Sequence, residues 1–251
     1  GDGSFRFADH LDDTETTGSF TTAVTVKGYT PIGESASMEA FFRPSYTWTD
    51  DRPYLFDVER LYADVLVPEP LGPATVLRSK AGRFSLTAPD PKVLRHTLDG
   101  VDTSLSFPWG RVRLAGAYGG LILNPVSTLR ISAADTADED DDDRFFGPRR
   151  IVSFVEYASP ELVARQTVRA FTIGQWDLRD ADDGDDTVDA YYLGARVRGP
   201  IIPGLYHEFG STLSFAHQEI EGINESNNAN GALTSLSLQY FRRDWNSASF
   251  T

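Results

Sequence analysis

The stretch Ala36-Ser-Met-Glu-Ala-Phe-Phe-Arg-Pro-Ser-Tyr-Thr-Trp-Thr49 decides the fold class. Read with a period of two, Ala36, Met38, Ala40, Phe42, Pro44, Tyr46 and Trp48 share one face, and Ser37, Glu39, Phe41, Arg43, Ser45, Thr47 and Thr49 share the other. Successive strand side chains point to opposite faces, so this segment reads as a strand with one face suited to hydrocarbon and one suited to water. The rhythm recurs. Phe20, Thr22, Val24, Val26 and Gly28 oppose Thr21, Ala23, Thr25, Lys27 and Tyr29, and Val101, Thr103, Leu105 and Phe107 oppose Gly100, Asp102, Ser104 and Ser106. In the same way Val112, Leu114, Gly116, Tyr118 and Ile122 oppose Arg111, Arg113, Ala115 and Ala117.

Working outward, the pattern predicts strands at 3–10, 18–30, 36–49, 57–67, 74–87, 98–107, 110–123, 149–158, 163–178, 187–199, 204–218 and 231–242. Short connections at 31–35, 68–73, 108–109, 159–162 and 200–203 are punctuated mostly by Pro and Gly. They alternate with longer polar connections at 11–17, 50–56, 88–97, 124–148, 179–186 and 219–230. Tight turns at one end and large loops at the other are expected of an antiparallel up-and-down transmembrane β-barrel of about twelve strands. No linker interrupts the pattern, so residues 1–251 read as a single domain. Two strands depart from simple alternation. The apolar face of 74–87 changes parity near Ala81 and Gly82, which reads as a bulge. In 149–158, Val152 and Phe154 share a face with Glu156, leaving that strand ambiguous.

Composition narrows the function classes. Hydrophobic residues make up 40% of the chain and its mean hydropathy is -0.31, values that a soluble protein and a membrane barrel share, because only alternate strand residues meet lipid. No window approaches the roughly 20 apolar residues of a spanning helix. A net charge of -14 and a pI near 4.6 argue against a nucleic-acid partner. The absence of cysteine removes disulfides, thiolate catalysis and thiolate metal sites. No signal peptide reads at Gly1, as expected of a mature or trimmed chain.

The polar face carries the candidate chemistry. Lys27, Arg43, Arg60, Arg83, Arg111, Arg113, Arg165, Arg169, Arg196 and Arg198 fall on it with Glu39, Asp64, Asp102, Glu156, Asp177 and Glu208. Of these, Lys27, Arg43, Arg60, Arg111, Arg113, Arg165, Arg169, Arg196, Arg198, Glu39, Asp64 and Asp102 are the expected pore-lining residues, since facing charges tune which solutes pass and arginine rows attract anions. The competing reading is of interior salt bridges that fill a narrow barrel. Aromatic residues gather at strand ends, with Tyr46, Trp48, Trp176 and Phe215 toward the long loops and Phe107, Tyr157 and Tyr240 toward the turns, as an interfacial girdle would require.

The loops hold two acidic clusters, Asp135 with Asp138 through Asp143, and Asp180 with Asp182, Asp183, Asp185 and Asp186. Clustered carboxylates make divalent cations such as calcium candidate partners, but the second cluster lacks EF-hand spacing, with Arg179 and Ala181 at ligand positions when Gly184 is the turn glycine. A solvated charge run is the preferred reading, and no cofactor is expected. Nothing matches a nucleophile elbow, a zinc helix or a phosphate loop, so an enzyme is not expected. His10 and His96 belong near loops, and His207 and His217 face outward near the two rims of one strand.

The closing strand Ala232-Leu-Thr-Ser-Leu-Ser-Leu-Gln-Tyr-Phe241 is similar to the last strand of Gram-negative outer-membrane β-barrels, and nearly the whole chain resembles that porin-like class. The chain runs on through Arg242 to Thr251, a departure that allows a larger barrel of which this is a part. The resemblance implies a bacterial outer-membrane channel, in contact with membrane lipids and open to oligomerisation, for passive diffusion of small hydrophilic solutes, anions among them. In that picture the 124–148 loop folds inward or caps the pore. The alternatives are a closed structural or adhesive barrel with acidic external loops, and a soluble β-sandwich or barrel that binds carbohydrate through exposed Trp and Tyr.

Overall fold

A computed structural model describes residues 19–33, 35–49, 55–121, 146–179, 187–219 and 226–241. They form twelve antiparallel strands in one sheet: β1 (Ser19–Ala23), β2 (Val26–Ile32), β3 (Ala36–Thr49), β4 (Leu55–Pro68), β5 (Val76–Thr87), β6 (Arg95–Phe107), β7 (Gly110–Tyr118), β8 (Arg150–Ala158), β9 (Thr167–Asp177), β10 (Thr187–Ile202), β11 (Leu205–Glu219) and β12 (Ser226–Tyr240). From β3 onward each strand pairs with the next, and β1 and β2 share the free edge of β3. The sheet is not closed: no pairing joins the β1–β2 edge to β12 among the described residues. None of their helices is long and apolar enough to cross a membrane.

β1 and β2 are the single strand expected at 18–30, interrupted at Val24 and Thr25. Pro44 on β3 causes the break. It has no N–H to give to the ladder, and only its carbonyl is used, accepting from the Val24 N–H at 3.2 Å. On the other side of β3 the register shifts at the same proline, and Glu59 is the extra residue of a bulge in β4. The expected strand at 3–10 lies outside the described residues, so the total of twelve arises from one strand counted as two. β9 starts at Thr167, after a 3-10 turn at Val163–Arg165, four residues later than its alternation suggests.

Following the register across the sheet separates two faces. One row runs Thr30, Met38, Val65, Ser79, Thr103, Leu114, Val155, Thr172, Leu193, Leu213 and Ala232, and contains no charge. The neighbouring row on the opposite face runs Tyr29, Glu39, Asp64, Lys80, Asp102, Ala115, Phe154, Ile173, Tyr192, Ser214 and Gly231. It is charged from β3 to β6 and largely apolar from β7 to β10. The first face, here the outer one, leaves Leu114, Val155, Leu193, Leu213 and Leu236 exposed. Phe42 is exposed there as well, and Val112 is only half buried.

The core lies on the inner face and has an unusual origin. β5 and β6 stay paired from Val76–Ser106 to Thr87–Arg95, but β5 pairs with β4 only as far as Arg83, and β6 with β7 only from Asp99 onward. Beyond that level the β5–β6 hairpin leaves the sheet on both sides and packs across the inner face. Phe84, Leu86, Ala88, Leu94 and Leu98 from the hairpin form one cluster with Ala115, Ala117, Val152, Phe154, Phe171 and Ile173 from β7, β8 and β9. Phe84, Leu86, Leu94 and Leu98 are each at most 1% exposed. At about 1.5–3 kcal/mol for each large apolar side chain, this contact fixes the hairpin against the wall.

Candidate functional site

The inturned hairpin and the charged side chains around it form the candidate site. Two paired glycines make the bend. Gly82 has φ +121°, a region that β-carbon-bearing residues avoid, and Gly100 lies opposite it in the ladder. A Cβ at Gly100 would stand 2.2 Å from the Gly116 carbonyl oxygen and 2.5 Å from the Ala117 Cα, so only glycine lets β6 pass this close to β7. The register across β5–β6 is continuous here, and the bulge expected near Ala81 is instead a bend without an inserted residue.

Arg83 ties the base of the bend to β4. Its Nε donates to the Val58 carbonyl at 2.6 Å and its Nη1 to Asp99 at 2.6 Å, while Asp57 lies 3.6 Å from Nη2. The tip is held on the far side. Asp90 accepts from Arg196 of β10 at 2.6 Å, and the Thr87 carbonyl accepts from Arg113 of β7 at 3.3 Å. The tip therefore reaches β10, which shows that the sheet curls around it.

His96 sits on the hairpin segment that has left the wall, and it is 7% exposed. Burial, together with the Arg83 charge, pushes its pKa down to about 3. The imidazole is therefore neutral under ordinary conditions.

Of the residues expected to line a pore, those on β3–β11 share the inner face, and most of the cations are paired. Arg113 forms a two-pronged contact with Asp102, 2.8 Å on each prong, and lies over the Phe154 ring. Glu156 is fully buried, accepts from Arg169 at 2.6 Å, and has Arg111 3.8 Å away. Arg43 meets Glu59 at 2.8 Å, and Arg196 bonds Glu208 as well as Asp90. Asp64 is engaged by Arg78 at 2.6 Å. Lys27 and Arg60 lie 5.3 and 5.7 Å from the Phe41 ring centre, and Glu39 lies two residues before Phe41 on the same face of β3. Arg165 is not on a strand but in the turn before β9, and Arg198 projects from β10 near it. Neither Arg165 nor Arg198 has a carboxylate partner among the described residues.

The interior salt bridges weighed against a bare arginine row are thus present, with Arg60, Arg165 and Arg198 outside them among the described residues. Sequence reasoning missed Asp90 and the inward course of 84–98. The available signal was the change of apolar parity at Gly82 together with the apolar inner positions Val152 and Phe154, which have one common cause: the hairpin covers them. The inturned element is this hairpin, whereas residues 124–145 of the loop expected at 124–148, and both acidic clusters, lie outside the described residues. Among the described residues no group of three or more His, Asp or Glu could hold a metal ion.

Aromatic rings mark the turn end of the outer face. Phe107 and Trp109 stack at 4.6 Å, Trp109 and Tyr157 follow at 6.1 Å, and the Tyr157 hydroxyl donates to the Trp109 carbonyl at 3.0 Å. No protein-family model matches this chain, and no curated protein sequence matches it.

Proposed function

We propose that the chain forms the wall of a β-barrel in a Gram-negative outer membrane and works as a porin-like channel for passive diffusion of small hydrophilic solutes, with anions favoured. The observation that carries the reading is the contrast between adjacent rows: an uncharged row of exposed and half-buried side chains outside, and charged side chains with an inturned hairpin inside. Exposed leucines on a regular face suit acyl chains, while guanidinium and carboxylate groups require water or each other. The Phe107–Trp109–Tyr157 stack at the turn end fits the headgroup level. In lipid every backbone group must be bonded, so the reading requires partners for the β1–β2 edge and for β12.

In this reading the hairpin narrows the passage and the inner-face arginines set its selectivity, with diffusion down a gradient and no catalytic step. A second reading, a closed structural barrel, is favoured by the apolar packing of Phe84, Leu86, Leu94 and Leu98, which makes the hairpin a firm plug. Planar-bilayer recording of the refolded chain separates them. A steady anion-selective current that falls in selectivity on Arg196→Ala and Arg198→Ala supports the channel. No current, or a cation preference indifferent to those changes, rejects it, and exclusion of sugars in liposome swelling then supports the plug.

A further inference from the structure

Arg165 of the turn before β9 and Arg198 of β10, neither of which has a carboxylate partner among the described residues, border one recess at the turn end of β10–β12. We propose that this recess is a binding site for organic carboxylates that carry an apolar ring. It is an open recess with a volume of about 1200 Å³, bordered by the Val163–Arg165 turn, the ends of β10 and β11, and the last residues of β12. Pockets for small-molecule ligands measure roughly 300–1,000 Å³, so there is room for a ring and its substituents.

Three observations converge. The first is charge: no Asp or Glu lines the recess, although the chain carries a net charge of -14. Arg198 stands opposite Glu208 in the β10–β11 register, but Glu208 is bonded to Arg196, leaving the Arg198 guanidinium open to a ligand. A planar carboxylate matches the forked donors of a guanidinium, and two arginines on separate elements can grip it from two sides.

The second is the apolar part. Tyr206 and Phe241 meet edge to face at 5.7 Å and 81°, and they are 40% and 60% exposed. The Phe241 N–H donates to the Gly204 carbonyl at 2.7 Å, which holds the end of β12 against the β10–β11 turn and keeps the ring pair in place. Exposed rings beside unpaired guanidiniums, on the charged side of the wall, suit a ligand that is itself apolar at one end and anionic at the other. The third is local geometry. Ala164 and Arg165 both adopt positive φ, 58° and 59°, a conformation costly for residues with a β-carbon, and the turn so formed brings Arg165 to the recess that Arg198 borders from β10.

The inference rests on the channel reading only in taking the inner face to be wet. Calorimetric titration of the whole chain in detergent micelles with benzoate, acetate and benzyl alcohol tests it. Saturable benzoate binding, at least about tenfold tighter than acetate or benzyl alcohol, is expected. Arg165→Ala and Arg198→Ala should each weaken it about tenfold or more, Arg198→Lys by an intermediate factor, and Lys27→Ala not at all. Equal affinity for acetate and benzoate, or unchanged benzoate binding in a folded Arg165→Ala/Arg198→Ala variant, overturns the site. Because micelle binding needs no ion current, a chain that binds benzoate without conducting rejects the channel alone. One that conducts without preferring benzoate rejects this site alone.

Discussion

The inner faces of β3–β5 and β7–β9 occupy corresponding positions in one sheet, yet the first carries Glu39, Asp64 and Lys80 where the second carries Ala115, Phe154 and Ile173. Their outer faces do not differ in this way. The difference follows what lies against each inner face. The hairpin turns its apolar side to β7–β9 and buries Val152, Phe154 and Ile173 to 1% exposure or less, while the β3–β5 side keeps paired charges and cations over aromatic rings. Inner-face composition is therefore a record of contact, and outer-face composition a record of solvent.

The strongest challenge to that contrast is Phe154→Ala. Removing a ring buried between the hairpin and β8 should cost about 3–5 kcal/mol in denaturant unfolding of the refolded protein; a cost near zero would mean that the hairpin does not pack there. Next is the comparison of neighbouring positions on β12. Leu236→Arg on the outer face should destabilise the protein by about 2–4 kcal/mol in a bilayer, whereas Ser235→Arg, one residue away on the inner face, should be almost neutral. Equal effects would show that lipid does not distinguish the two faces.

A smaller effect is expected at the bend. Gly100→Ala meets backbone atoms of β7 and should cost about 1–3 kcal/mol, measurable as a shift of the unfolding midpoint. The pH dependence of the hairpin comes from His96. Its folded pKa is depressed to about 3 against an ordinary value of 6.5, so its contribution is complete above pH 6.5 and is lost as pH falls toward 3. Amide protection factors at 84–98, corrected for the intrinsic exchange rate at each pH, should therefore fall by up to about 1.4 kcal/mol per pH unit in that window, and His96→Leu should remove that slope. The smallest effect belongs to Gly116→Ala, where an added Cβ meets nothing within 4 Å and the change in stability should stay below about 0.5 kcal/mol.

Much of the sheet was legible because strand side chains obey a local rule. Ala36–Thr49 is β3 from its first residue to its last, and Arg113, Arg169 and Arg196 lie on the face that alternation assigns them. What escaped was set by tertiary contact. The parity change at Gly82 resembled a bulge because an apolar inner residue means one thing beside water and another beneath a hairpin, and sequence period cannot tell the two apart. Val152 and Phe154 looked ambiguous for the same reason. His96 read as a loop neighbour because its strand extends three residues farther, from Arg95, inside the cover of the inner face. Arg165 was assigned to a strand because its turn carries no glycine, and Ala164 and Arg165 adopt left-handed conformations that residue type does not announce.

The hairpin is continuous with the strands on which it rests, and every fully buried member of its apolar cluster comes from the span between Phe84 and Ile173, with Tyr62 and Tyr192 packed against it from either side. That span is contiguous and excludes both edges of the sheet. An assembly order follows: the middle of the chain can gather its oily contacts first, and the edge strands β1–β3, β11 and β12, which add no buried member, can be recruited afterwards. Pulse-labelled refolding should then show amides near Leu98 and Phe154 becoming slow to exchange before those near Leu236.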